Sequence, residues 1–452
     1  MTKPLNEREI VLGILMDVTE HDVYSHIALG NVLSKYQYLD KKERAFITRV
    51  TEGTLEHMIE IDYILDQFSK VKTRKMKPVI RNILRSAVYQ LKYMDTVPDS
   101  AVCNEAVKLA VKKGFGPLKG FVNGVLRSTA RGLDKVEYPK EAVKGLSVRY
   151  SMPEWILGKW LQEYNIDTVE KILADFQKEK PVTIRCNTSY ITPKELEERL
   201  RSEGVTVMAH PYLPYAFSIT GYDYLGELSS FQEGLFAVQD ISSMLAGEIA
   251  SPKEGDYIID VCAAPGGKSV HLADKLRGTG HVEARDLTEY KTGMIQENID
   301  RMRMENISAV LQDATVLHEA SVEKADMVIA DLPCSGLGVL GRKTDLKYKV
   351  TKIQTDELAA LQKEILDTVY RYVKPGGTLV YSTCTINRAE NIDNVHWFLE
   401  THPEYALNSI QDRVCRELQG SVQEEGCLQL LPGVNDSDGF FIARFMKKGS
   451  SS

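Results

Sequence analysis

Cysteine is scarce: seven in 452 residues, an odd number, with no Cys or His set at zinc-ligand spacing. That excludes a disulfide scaffold and a structural zinc module, and no metal is expected. It also suits a reducing cytosol, so the expected location is cytoplasmic. No run of about 18 apolar residues is present, so neither a transmembrane helix nor a membrane partner is expected. The opening MTKPLNEREI lacks the basic-then-apolar layout of a signal peptide. Low-complexity and collagen-like patterns are also missing. Hydrophobic residues make up 43% and charged residues 26%, an ordinary globular balance. The length predicts about two to four domains.

The net charge of −7 hides an asymmetry. Residues 1–140 hold 23 Lys+Arg against 17 Asp+Glu, and the remainder holds 33 against 46. The acidic total argues against indiscriminate polyanion binding, while a basic N-terminal third can steer one particular polyanion. This third reads as all helix. Ile10, Val11, Ile14, Leu15 and Val18 repeat at the spacing of one helical face, as do Ile80, Ile83, Leu84, Ala87, Val88 and Leu91. Between Ser69 and Met94 lie Lys70, Lys72, Arg74, Lys75, Lys77, Arg81, Arg85 and Lys92, with no acid among them. Arg81, Arg85 and Lys92 fall on a face opposite much of the apolar stripe, either as a solvated face or as a phosphate-contacting surface. Asp99 and Ser100 are cap candidates for a helix ending near Gly114.

Asn104-Glu105-Ala106-Val107-Lys108-Leu109-Ala110, followed by Phe121-Val122-Asn123-Gly124-Val125-Leu126, resembles the NusB family of helical RNA-binding antitermination domains. The resemblance implies an RNA-contacting helical bundle over residues 1–140. Residues 141–235 read as a small α+β module. Tyr150, Ser151, Pro153 and Trp155 open a helix, 181–187 is a strand, Pro193–Glu203 a helix with Thr192 as cap and Gly204 as stop, and Val205–Val207 a second strand.

From 236 onward, strands and helices alternate. Strands are expected at Tyr257–Val261, His281–Arg285, Ala309–Gln312, Met327–Ala330 and Thr378–Ser382. Helices are expected from Lys268, over Glu289–Met302, and over Asp356–Val373 with a stop at Lys374-Pro375-Gly376-Gly377. This order predicts a doubly wound α/β domain with a mainly parallel sheet over 236–446, and 447–452 reads as a disordered tail. Ligands of such sheets bind beyond the carboxyl ends of the strands. There the first turn reads Cys262-Ala263-Ala264-Pro265-Gly266-Gly267-Lys268. Its small residues let a ligand approach the backbone, and the following helix start offers unpaired N–H groups. It is neither the dinucleotide fingerprint nor the Walker pattern, which disfavours pyrophosphate and favours a ligand bearing a carboxylate or a nucleoside. Asp286 stands where ribose hydroxyls are commonly bound, Asp313 where an adenine amino group can be met, and Asp331 ends the next strand. Each alone is as readily a turn residue; three at successive strand ends make a site. Cys334 follows the fourth strand and Cys384 the fifth, so neighbouring strand ends place both thiols at one cleft. Cys103, Cys186, Cys262, Cys415 and Cys427 read as ordinary small hydrophobes, not catalysts.

Cys262–Lys268, Asp331–Gly336 and Ser382–Cys384 together resemble the S-adenosylmethionine-dependent RNA cytosine-5 methyltransferases of the NOL1/NOP2/Sun family. Arg185-Cys186-Asn187, Gln239-Asp240 and Asp438-Gly439-Phe440-Phe441 add to the likeness over roughly 145–446. The resemblance implies a Rossmann-like class I methyltransferase domain, a cofactor loop at Cys262–Lys268 with Asp286, Asp313 and Asp331, and a 16S ribosomal RNA substrate, unassembled or partly folded. It makes Cys384 the nucleophile toward cytosine C6, Cys334 the residue that assists release, and Asp331 the partner of the base's N3/N4 edge. Arg342, Lys343 and Lys347 are expected to grip RNA backbone. The sequence leaves Lys268 open between a structural and a ligand role. Arg285 stands where a small or apolar residue is usual, and Thr344 where proline is common. A transfer RNA methyltransferase, a non-catalytic antitermination factor and a nicotinamide dehydrogenase are the competing readings, the last weakened by the missing fingerprint.

Overall fold

The computed structural model describes residues 6–36 and 39–449. The chain forms two compact units. One holds the residues through Gln177 together with 340–350; the other holds 178–339 and the residues from Thr351 on. These clusters differ from the boundaries at 140 and 235 read from the sequence.

The first unit is helical: α1 (Glu7–Glu20), α2 (Ser25–Lys35), α3 (Lys41–Glu56), α4 (Met58–Phe68), α5 (Pro78–Tyr93), α6 (Asp99–Lys112), α7 (Lys119–Gly132), α8 (Ala142–Arg149), α9 (Glu154–Glu163) and α10 (Ile166–Phe176). The apolar stripe of α1 is buried whole, and that of α5 is buried except for half-buried Leu91. Each fully buried Ile, Leu or Val among them contributes about 1.5–3 kcal/mol by leaving water. Asn6 caps α1 by accepting from the Arg8 N–H, and Asp40 with Glu43 forms a capping box on α3. Asp99 lies inside the first turn of α6, with Pro98 as the cap, so neither Asp99 nor Ser100 plays the capping part.

The basic stretch before Met94 divides in two, and half of it corrects the sequence reading. Arg81 pairs with Glu20 at 2.5 Å, Arg85 grips Asp62 with two bonds of 2.7 and 2.6 Å, and Lys92 meets Glu60 at 2.5 Å and the Tyr138 hydroxyl at 2.7 Å. Their acids come from α1 and α4, far off in sequence, so these three bases are paired within the unit rather than left free on a solvated face. Lys70, Lys72, Arg74, Lys75 and Lys77, around the turn before α5, do stay exposed. Lys347 is a second correction. It is 5% exposed and donates to the Glu56 carbonyl at 2.8 Å, so it cannot grip an RNA backbone. Burial pulls its pKa down to about 8, against the pull of Glu56. Beside it, Asp345 accepts from the N–H and hydroxyl of Ser25 at 2.9 and 2.6 Å and so fastens the start of α2. Arg342 and Lys343 are exposed.

The second unit opens with β1 (Val182–Cys186), α11 (Pro193–Ser202), β2 (Thr206–Ala209), β3 (Ala216–Thr220), α12 (Ser229–Gln232) and β4 (Phe236–Val238). The strands form an antiparallel sheet in the order β2-β3-β1-β4, covered by Leu196 and Leu200 of α11. Thr192 caps α11 in a capping box with Glu195, as the sequence predicts. Then follow α13 (Ile241–Ala250), β5 (Tyr257–Asp260), α14 (Gly267–Lys275), β6 (His281–Asp286), α15 (Glu289–Met302), β7 (Ile307–Leu311) and β8 (Ala325–Asp331). Past α16 (Leu346–Lys349), which belongs to the first unit, come α17 (Lys352–Val369), β9 (Val373–Thr383), α18 (Ile392–Thr401), β10 (Tyr405–Leu407), β11 (Val422–Glu424), β12 (Cys427–Leu430) and β13 (Phe440–Lys447).

The large sheet runs β11-β12-β13-β9-β8-β5-β6-β7, with β10 on β13. From β9 to β7 it is parallel, the doubly wound arrangement expected, with apolar runs such as Ile258-Ile259 and Val328-Ile329-Ala330 buried on both faces. The half built by β10–β13 is antiparallel, and the sequence reading did not anticipate it. The helix expected over Asp356–Val373 begins four residues earlier, capped by Thr351 with Gln354, and ends at Val369. Lys374–Gly377 therefore stops no helix; it lies in the first part of β9, at a register shift against β8. The first residues of the expected tail are ordered: β13 runs to Lys447 and the Lys448 N–H donates to the Glu404 carbonyl at 2.8 Å, while 450–452 lie outside the described residues.

Candidate active site

The strand order reverses at β5, with β6 on one side and β8 on the other, which is where open α/β sheets bind ligands. The loop from β5 to α14 turns there. Gly266 adopts φ +105° as the N-cap of α14, a conformation glycine reaches at no steric cost. The loop is pinned to its neighbours: the Ala263 N–H donates to the Arg285 carbonyl at 2.8 Å and the Ala264 N–H to Asp286 Oδ2 at 2.9 Å. Arg285 causes no disturbance here. It is buried, bonds Glu283 and Ser321 at 2.8 and 2.6 Å, and covers the Tyr372 ring.

Three acids converge on this loop. Asp286 is buried, holding the Ala264 and Leu287 N–H groups, and Lys291 Nζ lies 2.9 Å from its Oδ1. Asp260, at the end of β5, is 1% exposed and accepts from the Ser269 hydroxyl at 2.6 Å, while its Oδ1 has no hydrogen-bond partner. Burial lifts its pKa to about 7, against the pull of Ser269 and with a further push from Asp331. Asp331, at the end of β8, receives the Ser382 hydroxyl at 2.7 Å on Oδ1 and Lys268 Nζ at 2.7 Å on Oδ2. Burial pulls the Lys268 ammonium down, but Asp331, Asp260 and Cys384 outweigh it and hold the proton on more firmly than usual. Asp313 turns back on its own loop, accepting from the Thr315 N–H and hydroxyl at 2.9 and 2.7 Å.

Beyond Asp331 lie the two cysteines. β8 and β9 are parallel neighbours, with Asp331 opposite Ser382, so the residues just past their ends meet. Cys334 Sγ and Cys384 Sγ are 3.2 Å apart, both partly exposed and neither in a disulfide. The Cys334 thiol is pushed well up, first by its hydrogen bond to Cys384, then by burial and by the charge of Glu390. Cys262 is a contrast. Burial, with Asp260, Asp286 and Asp331 around it, drives its thiol far up, which suits packing rather than nucleophilic work. Arg185, Asn187 and Asp240 serve the scaffold: Arg185 joins β1 to Asp274 at 2.8 Å and to Gln239 at 2.9 Å, Asn187 holds the Gly234 carbonyl at 2.8 Å, and Asp240 caps α13.

Asp260, Glu390 and Asn391 escaped the sequence reading as parts of this site. Asp260 carried a usable signal, an acid closing an apolar strand in Tyr257-Ile258-Ile259-Asp260. Glu390 and Asn391 carried none, since Arg388-Ala389-Glu390-Asn391 reads like any polar turn.

A parallel doubly wound sheet with a glycine loop, strand-end acids and no pyrophosphate fingerprint defines a class I methyltransferase fold. The family described as 16S rRNA methyltransferase RsmB/F matches residues 248–446, the NusB family 5–131, and the ferredoxin-like domain of the RsmF/B-like methyltransferases 152–222. The Bacillus subtilis (strain 168) protein named "Probable ribosomal RNA small subunit methyltransferase B" is 35% identical over 99% of this chain and 100% of its own length. The Serratia proteamaculans (strain 568) "Ribosomal RNA small subunit methyltransferase B" is 31% identical over 93% of this chain and 97% of its own. The solved structure of PH0851 superposes with a TM-score of 0.82 at 25% identity, covering 98% of this chain and 99% of that one. The chain belongs to the ribosomal RNA small subunit methyltransferase B family. Among the described residues, no helix is long and apolar enough to cross a membrane.

Proposed function

We propose that this chain methylates C5 of a cytosine in 16S ribosomal RNA, using S-adenosylmethionine and a transient bond between Cys384 and cytosine C6. By family resemblance the target is cytosine 967, and the setting is the cytoplasm. The observation that carries this reading is the 3.2 Å pair of thiols past the ends of two parallel strands, Cys384 two residues after Ser382 and Cys334 three after Asp331, with Ser382, Asp331 and Lys268 themselves joined in a chain.

The residues present fit the methyl donor. Asp260 offers a buried carboxyl oxygen without a partner to an ammonium group, the start of α14 with open space at Gly267 offers N–H groups to a carboxylate, and Asp286 and Asp313 stand at the next strand ends for a nucleoside. When bound, S-adenosylmethionine supplies an electrophilic methyl group on a sulfonium.

C5 of cytosine is a weak nucleophile until C6 is attacked, which breaks the ring's conjugation and leaves C5 enamine-like. The Cys384 thiolate adds to C6. The electron pair displaced from the 5,6 double bond is available at C5, and the ring's N3 side takes up a proton. Asp331 and Lys268 serve that edge, Asp331 orienting it and the Lys268 ammonium holding a proton 2.7 Å from Oδ2. After C5 is methylated its proton must leave. Cys334 accepts it while passing its own thiol proton to Cys384, as the C6–S bond breaks with its electron pair going to sulfur and the 5,6 double bond reforms from the C5–H pair; the proton taken up at N3 returns to the Asp331–Lys268 pair as the ring regains its conjugation. A thiol held protonated within 3.2 Å of the leaving sulfur suits that exchange. C6 of a paired base is hidden, so the cytosine must be unpaired or flipped out, and the exposed lysines before α5, with Arg342 and Lys343, supply backbone contacts.

The test is bisulfite sequencing of 16S and transfer RNA from cells with and without the gene. Loss of one 5-methylcytosine in 16S RNA is expected. Its loss from a transfer RNA instead would move the substrate, and no change in either would sink the reaction.

A further inference from the structure

Both cysteine loops are tied to one buried acid outside the set that meets the substrate. We propose that Glu390, with Asn391 beside it, is a positioning residue that fixes the spacing of the Cys334 and Cys384 thiols. The importance of that spacing rests on the function proposed above; the tether itself does not.

Glu390 is fully buried. Its Oε2 accepts from the Ser335 N–H at 2.7 Å and from Gln362 Nε2 at 3.3 Å, and its Oε1 from the Ser335 hydroxyl at 2.6 Å and Asn387 Nδ2 at 2.8 Å. Ser335 directly follows Cys334, and Gln362 also holds the carbonyl of Pro333 just before it at 2.9 Å. The Ser335 proton is committed to Glu390, so the Thr385 hydroxyl, 2.9 Å away, donates to Ser335 and links the residue after Cys384 into the same chain. Asn391 completes the grip: its Oδ1 accepts from the Thr383 hydroxyl at 2.6 Å and its Nδ2 donates to the Thr385 carbonyl at 3.0 Å. The residues before and after each cysteine are thereby tied to one adjacent pair.

The chemistry of the cluster calls for an acid. Four donors converge on Glu390, and a carboxylate offers acceptors only, whereas an amide would turn its own N–H groups against half of them. On the opposite side the backbone is already fixed. The Gly338 N–H donates to the Cys384 carbonyl at 3.1 Å, and a Cβ at Gly338 would lie 2.9 Å from that oxygen and 2.1 Å from the Gly439 carbonyl. The freedom left to the thiol pair is therefore set from the Glu390 side.

The experiment uses the full chain and phenylarsine oxide, which condenses with two neighbouring thiols: two S–As bonds form, and the oxide oxygen leaves as water with both thiol protons. The parent protein should take up one arsenical, shielding Cys334 and Cys384 together from alkylation. Glu390→Gln and Ser335→Ala should be captured about 10-fold more slowly and lose about 10- to 100-fold in kcat, with KM for RNA within about 3-fold, as a misplacement near 1 Å predicts. Glu390→Ala should lose more, and S-adenosylhomocysteine binding should persist in all that fold. Parental capture and kcat in Glu390→Gln and Ser335→Ala would overturn the proposal. So would a loss of capture matched by equal loss of S-adenosylhomocysteine binding and of cooperative melting, the mark of general collapse. If the parent protein captured the arsenical but methylated no RNA, slower capture in Glu390→Gln would still support the tether while the proposed reaction fell.

Discussion

The two units treat their charged side chains differently. In the helical unit, the row of bases that looks most like a phosphate surface is consumed inside the fold: Arg81, Arg85 and Lys92 each meet an acid from another helix. In the sheet unit, the acids that look most like turn residues gather at one end of the strands, where Asp260, Asp286 and Asp331 surround a single loop. A parallel sheet aligns the carboxyl ends of its strands whatever their sequences, so polar residues just past them converge by topology. A helix bundle has no such rule. Which acid meets which base depends on crossing angles and rotation, and the 23 to 61 residues between partners hide them from a local reading.

The sharpest way to break this comparison is at the strand ends. Cys384→Ala should lower methyl transfer by at least about 1000-fold while S-adenosylhomocysteine binding, measured by calorimetry, stays within about 3-fold of the parent. Substantial turnover would mean that topology brought the thiols together without a shared task. Cys334→Ala is expected to slow turnover about 100-fold and to leave a denaturation-resistant protein–RNA adduct, visible as a shifted band, because attack proceeds but release does not. Normal turnover without an adduct would remove Cys334 from the exchange.

Much of the fold was readable for the same reason the strand ends were. The apolar runs of β5, β6, β7 and β8 and the caps Thr192 and Gly204 announce themselves within a few residues, and so do Cys384, Cys334, Asp331 and the loop from Cys262 to Lys268. What stayed hidden depends on distant partners. β10–β12 are three or four residues long and all of β10–β13 pair antiparallel, so no strand–helix alternation marks them. The KPGG sequence looks like a helix stop, yet the β8 neighbour holds it as strand through a register shift. Lys347 looks like an RNA contact until Glu56 and the surrounding helices bury it. Glu390 gains its meaning only from Ser335, which is 55 residues away.

Two intermediate effects sharpen the contrast between internal and strand-end charges. Arg85→Ala should destabilise the protein by about 2–3 kcal/mol in urea unfolding, since it removes a buried guanidinium and leaves a partly buried Asp62 without its partner, and the same change should leave RNA affinity nearly untouched. Asp260 works through pH. Its folded pKa, about 7, lies above the unfolded value, so the native state binds its proton more tightly. Its contribution to stability is full below about pH 4 and is lost as pH rises through 7. In Asp260→Asn the melting temperature should therefore fall less than the parent's between pH 5 and pH 8, by about 2–4 °C. Parallel curves would mean that the carboxyl is already ionised at pH 5.

The smallest expected effect decides where RNA touches the helical unit. Arg74 and Lys75 are exposed in the turn before α5, whereas Arg81, a turn into the helix, is paired with Glu20. Replacing either exposed base with alanine should weaken binding of a 16S RNA fragment only a few-fold at about 0.15 M salt and reduce the slope of log affinity against log salt by about 0.7, the release expected for one lost phosphate contact on a single strand. Arg81→Ala should leave that slope unchanged, because a base already neutralised by a carboxylate displaces no counterion from RNA. If Arg81→Ala flattened the slope as much as Arg74→Ala does, Arg81 would leave Glu20 for phosphate when RNA arrives, and the internal ion pairs of this unit would be a reserve of RNA contacts rather than part of its frame.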